Sequence, residues 1–249
     1  MAPRPGSYGW PVARQRVPEG PAPDPAVQKL RVQYAKRGRL RFSSTRDFQR
    51  ALERALRRAD IPTAFSAGFH PHPKISYANA APTGTASEAE YFEVQLRERR
   101  EPDAVLTALN AALPDGLDIL AVAEAGHGAL ADRLEGSRWR LDFPAETAQQ
   151  LADATARLLA MDTAEVSRMT KRGERTFDVR AAILALTADG GSLDLVLRHQ
   201  TPLVRPDDVL AALCRHAGLD EASRPLVTRL SQGPLAGDQA TIGNPLETG

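Results

Sequence analysis

Arg46, Arg50, Arg54 and Arg57 recur at three- and four-residue intervals, with Arg58 beside the last, in a stretch that runs up to Ile61-Pro62. At 100° per residue on a helix the five fall at roughly 0°, 40°, 80°, 20° and 120°, which is one polar face. Phe48, Ala51, Leu52, Ala55 and Leu56 take another arc, from about 140° to 280° by the same rotation. A guanidinium group is a planar fork of donors matching the oxygens of a phosphate, so such a stripe suits the backbone of a polyanion. Only Asp47 and Glu53 lie close enough in sequence for local ion pairs, so i,i+4 pairing cannot neutralise it. Lys36, Arg37, Arg39 and Arg41 extend the basic run upstream. The ordinary alternative is a solvated face whose charges are met by carboxylates from elsewhere in the fold.

The second chemically suggestive segment is Gly68-Phe-His-Pro-His-Pro-Lys74. Pro71 and Pro73 stiffen it towards an extended, polyproline-like rod, so His70 and His72 should project near a two-residue period, with Lys74 close by. Those groups suit base stacking with phosphate contact, or general acid–base work near neutral pH. Metal ligation would need a third ligand that the spacing does not supply. A rigid loop bracing a sheet edge explains the prolines equally well, and no nucleophile or partner base is fixed. Lys171-Arg-Gly-Glu-Arg175 is a second basic turn, in which Lys171 and Arg172 become contact candidates if the fold brings them beside the first patch. The 77–85 segment lacks the spacing of a phosphate-binding loop. No motif calls for a cofactor.

The whole chain carries 32 basic and 31 acidic residues for a net charge of +1, but residues 29–58 hold eleven basic residues against Asp47 and Glu53. That block is +9, which leaves −8 for the rest of the chain (1 − 9 = −8). With 249 residues, 42% hydrophobic and 25% charged, the chain is long enough for one or two domains and too apolar to be disordered throughout. No apolar run approaches the ~20 residues that span a bilayer, and the N-terminus lacks the apolar core of a secretory signal. A cytoplasmic protein without membrane partners is expected. Cys214 is the only cysteine, so a disulfide framework, a multi-cysteine zinc site or a protein-ligated iron–sulfur cluster is excluded within one chain.

The elements that must position these groups fall into two units of similar grammar. Residues 1–26 hold seven of the nineteen prolines and read as a disordered arm. The unit over 27–126 reads as strand 30–34, strand 40–42, helix 44–59 opened by a Ser44–Asp47 capping box, an extended 64–80, strand 91–96, helix 102–113 and strand 117–122. A Gly-containing linker over 127–136 follows. The unit over 137–232 repeats the order, with helices over 148–161 and from 205 to 218, and one extra strand. Residues 233–249 read as a flexible tail. The prediction is α+β: two tandem ferredoxin-like βαββαβ units with antiparallel sheets.

Several ordered blocks carry a resemblance. They are Arg39-Leu-Arg-Phe-Ser-Ser-Thr-Arg-Asp47, Ala51-Leu-Glu-Arg-Ala-Leu-Arg-Arg58, Ala64-Phe-Ser-Ala-Gly-Phe-His-Pro-His-Pro-Lys-Ile-Ser76, Ala80-Ala-Pro-Thr-Gly84 and Ser87-Glu-Ala-Glu-Tyr91. Lys171-Arg-Gly173, Phe177-Asp-Val-Arg180 and Arg205-Pro-Asp-Asp-Val-Leu210 continue the series. Over about residues 29–232 the chain resembles the bacterial radical SAM-associated (radical SAM-linked) protein family, a domain of unknown function. The resemblance implies a separately encoded radical SAM enzyme as partner and a setting in RNA metabolism. Where that family usually has a Ser-His pair before the first helix, this chain has Ser44-Thr45, so any role of that histidine is lost here.

The expected function is an accessory protein that presents structured RNA, ribosomal or transfer, to a separate partner enzyme. Its RNA contacts are Arg37, Arg39, Arg41, Arg46, Arg50, Arg54, Arg57, Arg58, Lys74, Lys171 and Arg172. One alternative is a metal-independent endoribonuclease of the CRISPR repeat-processing type, with His70 or His72 as acid or base. The other is a protein-only scaffold for a radical SAM enzyme.

Overall fold

Apolar residues at Leu30, Val32 and Tyr34 alternate with polar ones along the first strand, and the same alternation on Phe92, Val94 and Leu96 builds its neighbour. In the computed structural model, which describes residues 24–144, 147–170, 173–220, 222, 224–237 and 240–247, these are β1 (Gln28–Lys36) and β3 (Ala86–Leu96). Between them lie α1 (Thr45–Arg58) and β2 (Ile75–Ala78), and after them α2 (Pro102–Ala112) and β4 (Leu117–Glu124). Most of the arm expected over 1–26, together with Lys171 and Arg172, lies outside the described residues.

The second half runs β5 (Gly136–Asp142), α3 (Ala148–Leu159), β6 (Glu165–Thr170), β7 (Gly173–Asp178), β8 (Ile183–Asp189), β9 (Ser192–Arg198), α4 (Pro206–Ala217) and β10 (Leu226–Gly233). The molecule is thus mixed α+β, with four α-helices among the described residues and a mostly antiparallel sheet. The path through the sheet is β4-β1-β3-β10-β5-β9-β8, with β2 pairing on β3, while β6 and β7 form a separate hairpin.

The packing of the halves departs from expectation. The sequence predicts two separate sheets, yet the halves share one. β10 pairs in parallel with the start of β3 through Thr228–Ala86 and Arg229–Ser87, while the later part of β3 pairs with β2. Below that junction sits a buried ion pair: the Arg229 guanidinium is bonded to Glu90 and donates to Asn79 O at 2.8 Å. Glu90 also accepts the Ala81 N–H at 3.0 Å.

Each half keeps its own core. In the first, Phe48, Leu52, Ala55 and Leu56 of α1 and Val105 and Leu109 of α2 pack on Leu30, Val32, Phe92 and Val94. In the second, Leu151 and Leu158 of α3 and Val209 and Leu213 of α4 pack on Leu141, Leu193 and Leu195. A third cluster contains Ala89, Tyr91, Leu130, Leu134 and Leu246.

Three local expectations change. Residues 40–42, predicted as a strand, lie in a 3-10 turn over Gly38–Phe42. The three-residue alternation is too short to enforce extended backbone, and Gly38 at φ +53 turns the chain out of β1 first. Residues 127–136, expected as a linker, hold a second 3-10 turn over Leu130–Arg133 that buries Leu130. Of the stretch expected as a tail over 233–249, the described residues make contacts: the Gly243 N–H donates to Pro234 O at 2.8 Å, and Leu246 is buried.

Candidate nucleic-acid interface

α1 starts at a reciprocal cap. Ser44 Oγ accepts the Asp47 N–H at 3.2 Å, and Asp47 Oδ2 accepts the Ser44 hydroxyl at 2.7 Å and the Ser44 N–H at 3.2 Å. The Ser44 hydroxyl and N–H, reinforced by the charges of Arg50 and Arg46, hold the Asp47 carboxyl below the usual carboxylate range. One of the two local acids is therefore committed to the helix start rather than to the arginines.

The fourteen residues of α1 extend about 21 Å. Along that length Arg46, Arg50, Arg54, Arg57 and Arg58 are all exposed, and the buried side is Phe48, Leu52, Ala55 and Leu56, as the rotation predicts. Among the described residues, none of Arg39, Arg41, Arg46, Arg50, Arg54, Arg57 and Arg58 forms an ion pair. Arg54 has the most adverse position. The residues three and four places from it are Ala51, Arg57, Arg50 and Arg58, so its near neighbours on the helix repel it. Arg58 Nη1 donates to Ala112 O at 3.1 Å and ties the end of α1 to the end of α2.

The rest of the basic block is divided by the fold. Period two places Lys29 and Arg31 on the face of β1 away from the helices, where both meet Glu93. Arg31 is fully buried and also donates to Gly128 O at 2.7 Å. Arg37 is clamped, donating to both Glu88 oxygens and to Asp118 Oδ2 at 2.6 Å. Lys36 is buried at the end of β1, where desolvation lowers the pKa of its ammonium against the opposing pull of Glu90. Arg39 is exposed, and the Arg41 guanidinium lies 4.4 Å from the Phe42 ring centroid. Lys74 lines a shallow recess with Lys29, Ser76 and Glu93, apart from the stripe.

The histidine segment is not a rod. It folds back at 67–70 as a small hairpin, with Phe65 bridging Pro73, the Ser66 N–H donating to His72 O at 2.9 Å, and the His72 N–H donating to Ser66 Oγ at 3.0 Å. The prolines stiffen only the returning limb. His72 then lines a cavity of about 330 Å³ with Glu53, Arg57, Asp60, Phe65 and Arg97, whereas His70 stays at the bend. The fold brings together His72 and the C-terminal end of the stripe, and the cavity carries carboxylates as well as guanidinium groups.

Three exposed aromatic rings escape the sequence reading: Phe42 is 59% exposed, Phe65 41% and Phe69 62%. Phe42 falls in the stretch predicted as a strand. A usable signal is present, because three of only seven phenylalanines bracket the basic helix. A further cavity of about 250 Å³ lies where the halves meet, lined by Asn79, Ser137, Trp139, His199, Arg205 and Arg229 among others. There Trp139 Nε1 donates to Ser137 Oγ at 2.8 Å, and His199 Nε2 lies 2.9 Å from the same oxygen. Burial lowers the His199 pKa, against the opposing effect of its bond to Leu134 O.

No helix among the described residues is long and apolar enough to cross a membrane. Residues 29–206 match a family described as an uncharacterized protein conserved in bacteria (DUF2344), a span that takes in α1, the 64–74 hairpin and β3. No curated protein matches the chain.

Proposed function

The chain belongs to this DUF2344 family of uncharacterized bacterial proteins, and on that premise we propose that it is an RNA-binding accessory protein that holds structured RNA for a separate enzyme. The observation that carries the reading is the unpaired arginine face of α1. A helix that places Arg54 among Arg50, Arg57 and Arg58, with no acid three or four residues from Arg54 and, among the described residues, no ion pair to any of the four, works against its own stability at that position. Local rules are broken in this way where a ligand supplies the missing charge. Phosphates spaced along a strand match that need, and guanidinium forks bind them in register. The contacts are Arg39, Arg41, Arg46, Arg50, Arg54 and Arg57, with Arg58 secondary because it also braces α2.

The finer architecture we read as two ferredoxin-like units sharing a sheet. Support comes from the matching strand orders, β4-β1-β3-β2 in one half and β10-β5-β9-β8 in the other. The partner we take to be a separately encoded radical SAM enzyme, on the sequence resemblance alone. One cysteine cannot supply the three that such an enzyme's cluster needs.

The test is a titration of labelled ribosomal or transfer RNA at several salt concentrations. Binding should weaken with salt, and replacing Arg50, Arg54 and Arg57 together by Ala should lower the slope of log K against log salt by about 3. Because the three side chains are exposed, the melting curve should not fall. Parental binding by the triple variant would reduce the stripe to a solvated face.

A second reading rests on His72 lining one cavity with Arg57: metal-independent RNA cleavage, with His72 as acid or base. Incubation of RNA with the protein in chelator tests it. Cleavage by the parent that disappears in His72→Ala establishes a nuclease, and RNA left intact by the parent leaves the accessory role.

A further inference from the structure

We propose that the RNA held by α1 is unpaired, with its bases stacked on Phe42 at one end of the stripe and on Phe65 and Phe69 at the other. This deepens the RNA-binding reading and rests on it. Among the described residues these three are the only exposed phenylalanine, tyrosine or tryptophan side chains; Phe48, Phe92, Phe143 and Phe177 are all buried. An exposed phenyl ring forgoes the burial that stabilises its four counterparts, and single exposed rings need no explanation. Three rings grouped at the two ends of one basic helix do.

Phe42 ends the 3-10 turn directly before the Ser44 cap. The Arg41 guanidinium lies over its ring, 4.4 Å from the centroid. Phe65 borders the cavity that contains Arg57, and Phe69 lies in the bend of the same hairpin. Phe42 thus precedes the start of α1 and Phe65 lies beside its C-terminal end, and the helix between those points, about 21 Å long, carries the guanidinium groups. Alternating ring and cation contact is how single strands are held: bases stack on aromatic faces while the backbone tracks positive charge. A duplex offers the same phosphates, but its bases are closed into the stack and cannot reach a phenyl ring.

The experiment compares a labelled 12-nucleotide RNA with the same strand annealed to its complement, titrated by fluorescence anisotropy against the full chain. The parent should prefer the single strand by at least about tenfold. Phe42→Leu, and the triple variant Phe42→Leu, Phe65→Leu and Phe69→Leu, should lose single-strand affinity by about fivefold or more per ring, with duplex affinity and salt slope unchanged. Equal binding of both RNA forms by the parent overturns the proposal while leaving the arginine reading intact. So does a triple variant that binds the single strand as the parent does, and such a result would point the rings at a protein partner. A parent that binds neither form overturns the RNA reading itself.

Discussion

Arg54→Glu is expected to make the protein more stable and a poorer ligand for RNA. At present Arg54 faces Arg50 four residues back, Arg57 three ahead and Arg58 four ahead, with Ala51 in the remaining helical neighbour position. Like charges at these spacings destabilise an exposed helix by about 0.2–0.5 kcal/mol each, and opposite charges stabilise it by a similar amount. One substitution turns three repulsions into three attractions, and the new Glu lies N-terminal to Arg58, the favourable order. After screening by salt, a gain of about 1 kcal/mol is expected in urea unfolding. RNA affinity should fall by about tenfold or more, because a carboxylate facing phosphate adds repulsion to the lost contact. A solvated face with no ligand would show the stability gain alone, and a stability loss would mean that Arg54 has a structural partner.

Glu90→Ala is expected to produce the largest loss of stability, about 3–5 kcal/mol, since it strands a buried guanidinium without its counter-charge. Burial by itself would push the Glu90 carboxyl up, but Arg229, the Ser87 hydroxyl and the Ala81 N–H outweigh burial and hold it below the ordinary value. A carboxyl lowered in the folded state stabilises the protein fully above its unfolded pKa, about 4.3 for Glu. That stabilisation is lost as pH falls through the folded value. The parent should therefore weaken below about pH 4, and part of that acid sensitivity should vanish in the variant. Replacing both partners, as Glu90→Leu with Arg229→Met, should cost less than Glu90→Ala, because the Arg229 guanidinium is no longer stranded. Urea midpoints of the parent and the two variants measure this. A Glu90→Ala cost below about 1 kcal/mol would mean that solvent reaches Arg229.

Much of the first half is legible because its signals are local. Ser44 and Asp47 mark the start of α1, Phe48, Leu52 and Leu56 mark its buried side, and the structure keeps both. The arginine face follows from the same period. What sequence cannot supply is everything depending on contacts far along the chain. Lys29, Arg31 and Arg37 belong to the same basic block as Arg50, yet Glu88, Glu93 and Asp118 claim them across the sheet. The pairing of Glu90 with Arg229 joins residues 139 positions apart. The 64–74 hairpin is hidden for a different reason: proline predicts stiffness over a few residues, and the reversal at 67–70 precedes both prolines.

Because β3 gives its first residues to β10 and its later ones to β2, the two halves share a seam in which each supplies what the other leaves open. A fragment ending after β4 would keep Glu90 without its cation and expose a raw strand edge beside it, and a fragment beginning at β5 would inherit Arg229 in the same predicament. Any scheme that dissects the protein, or grafts its arginine helix onto another carrier, must therefore bring β10 along or redesign the seam.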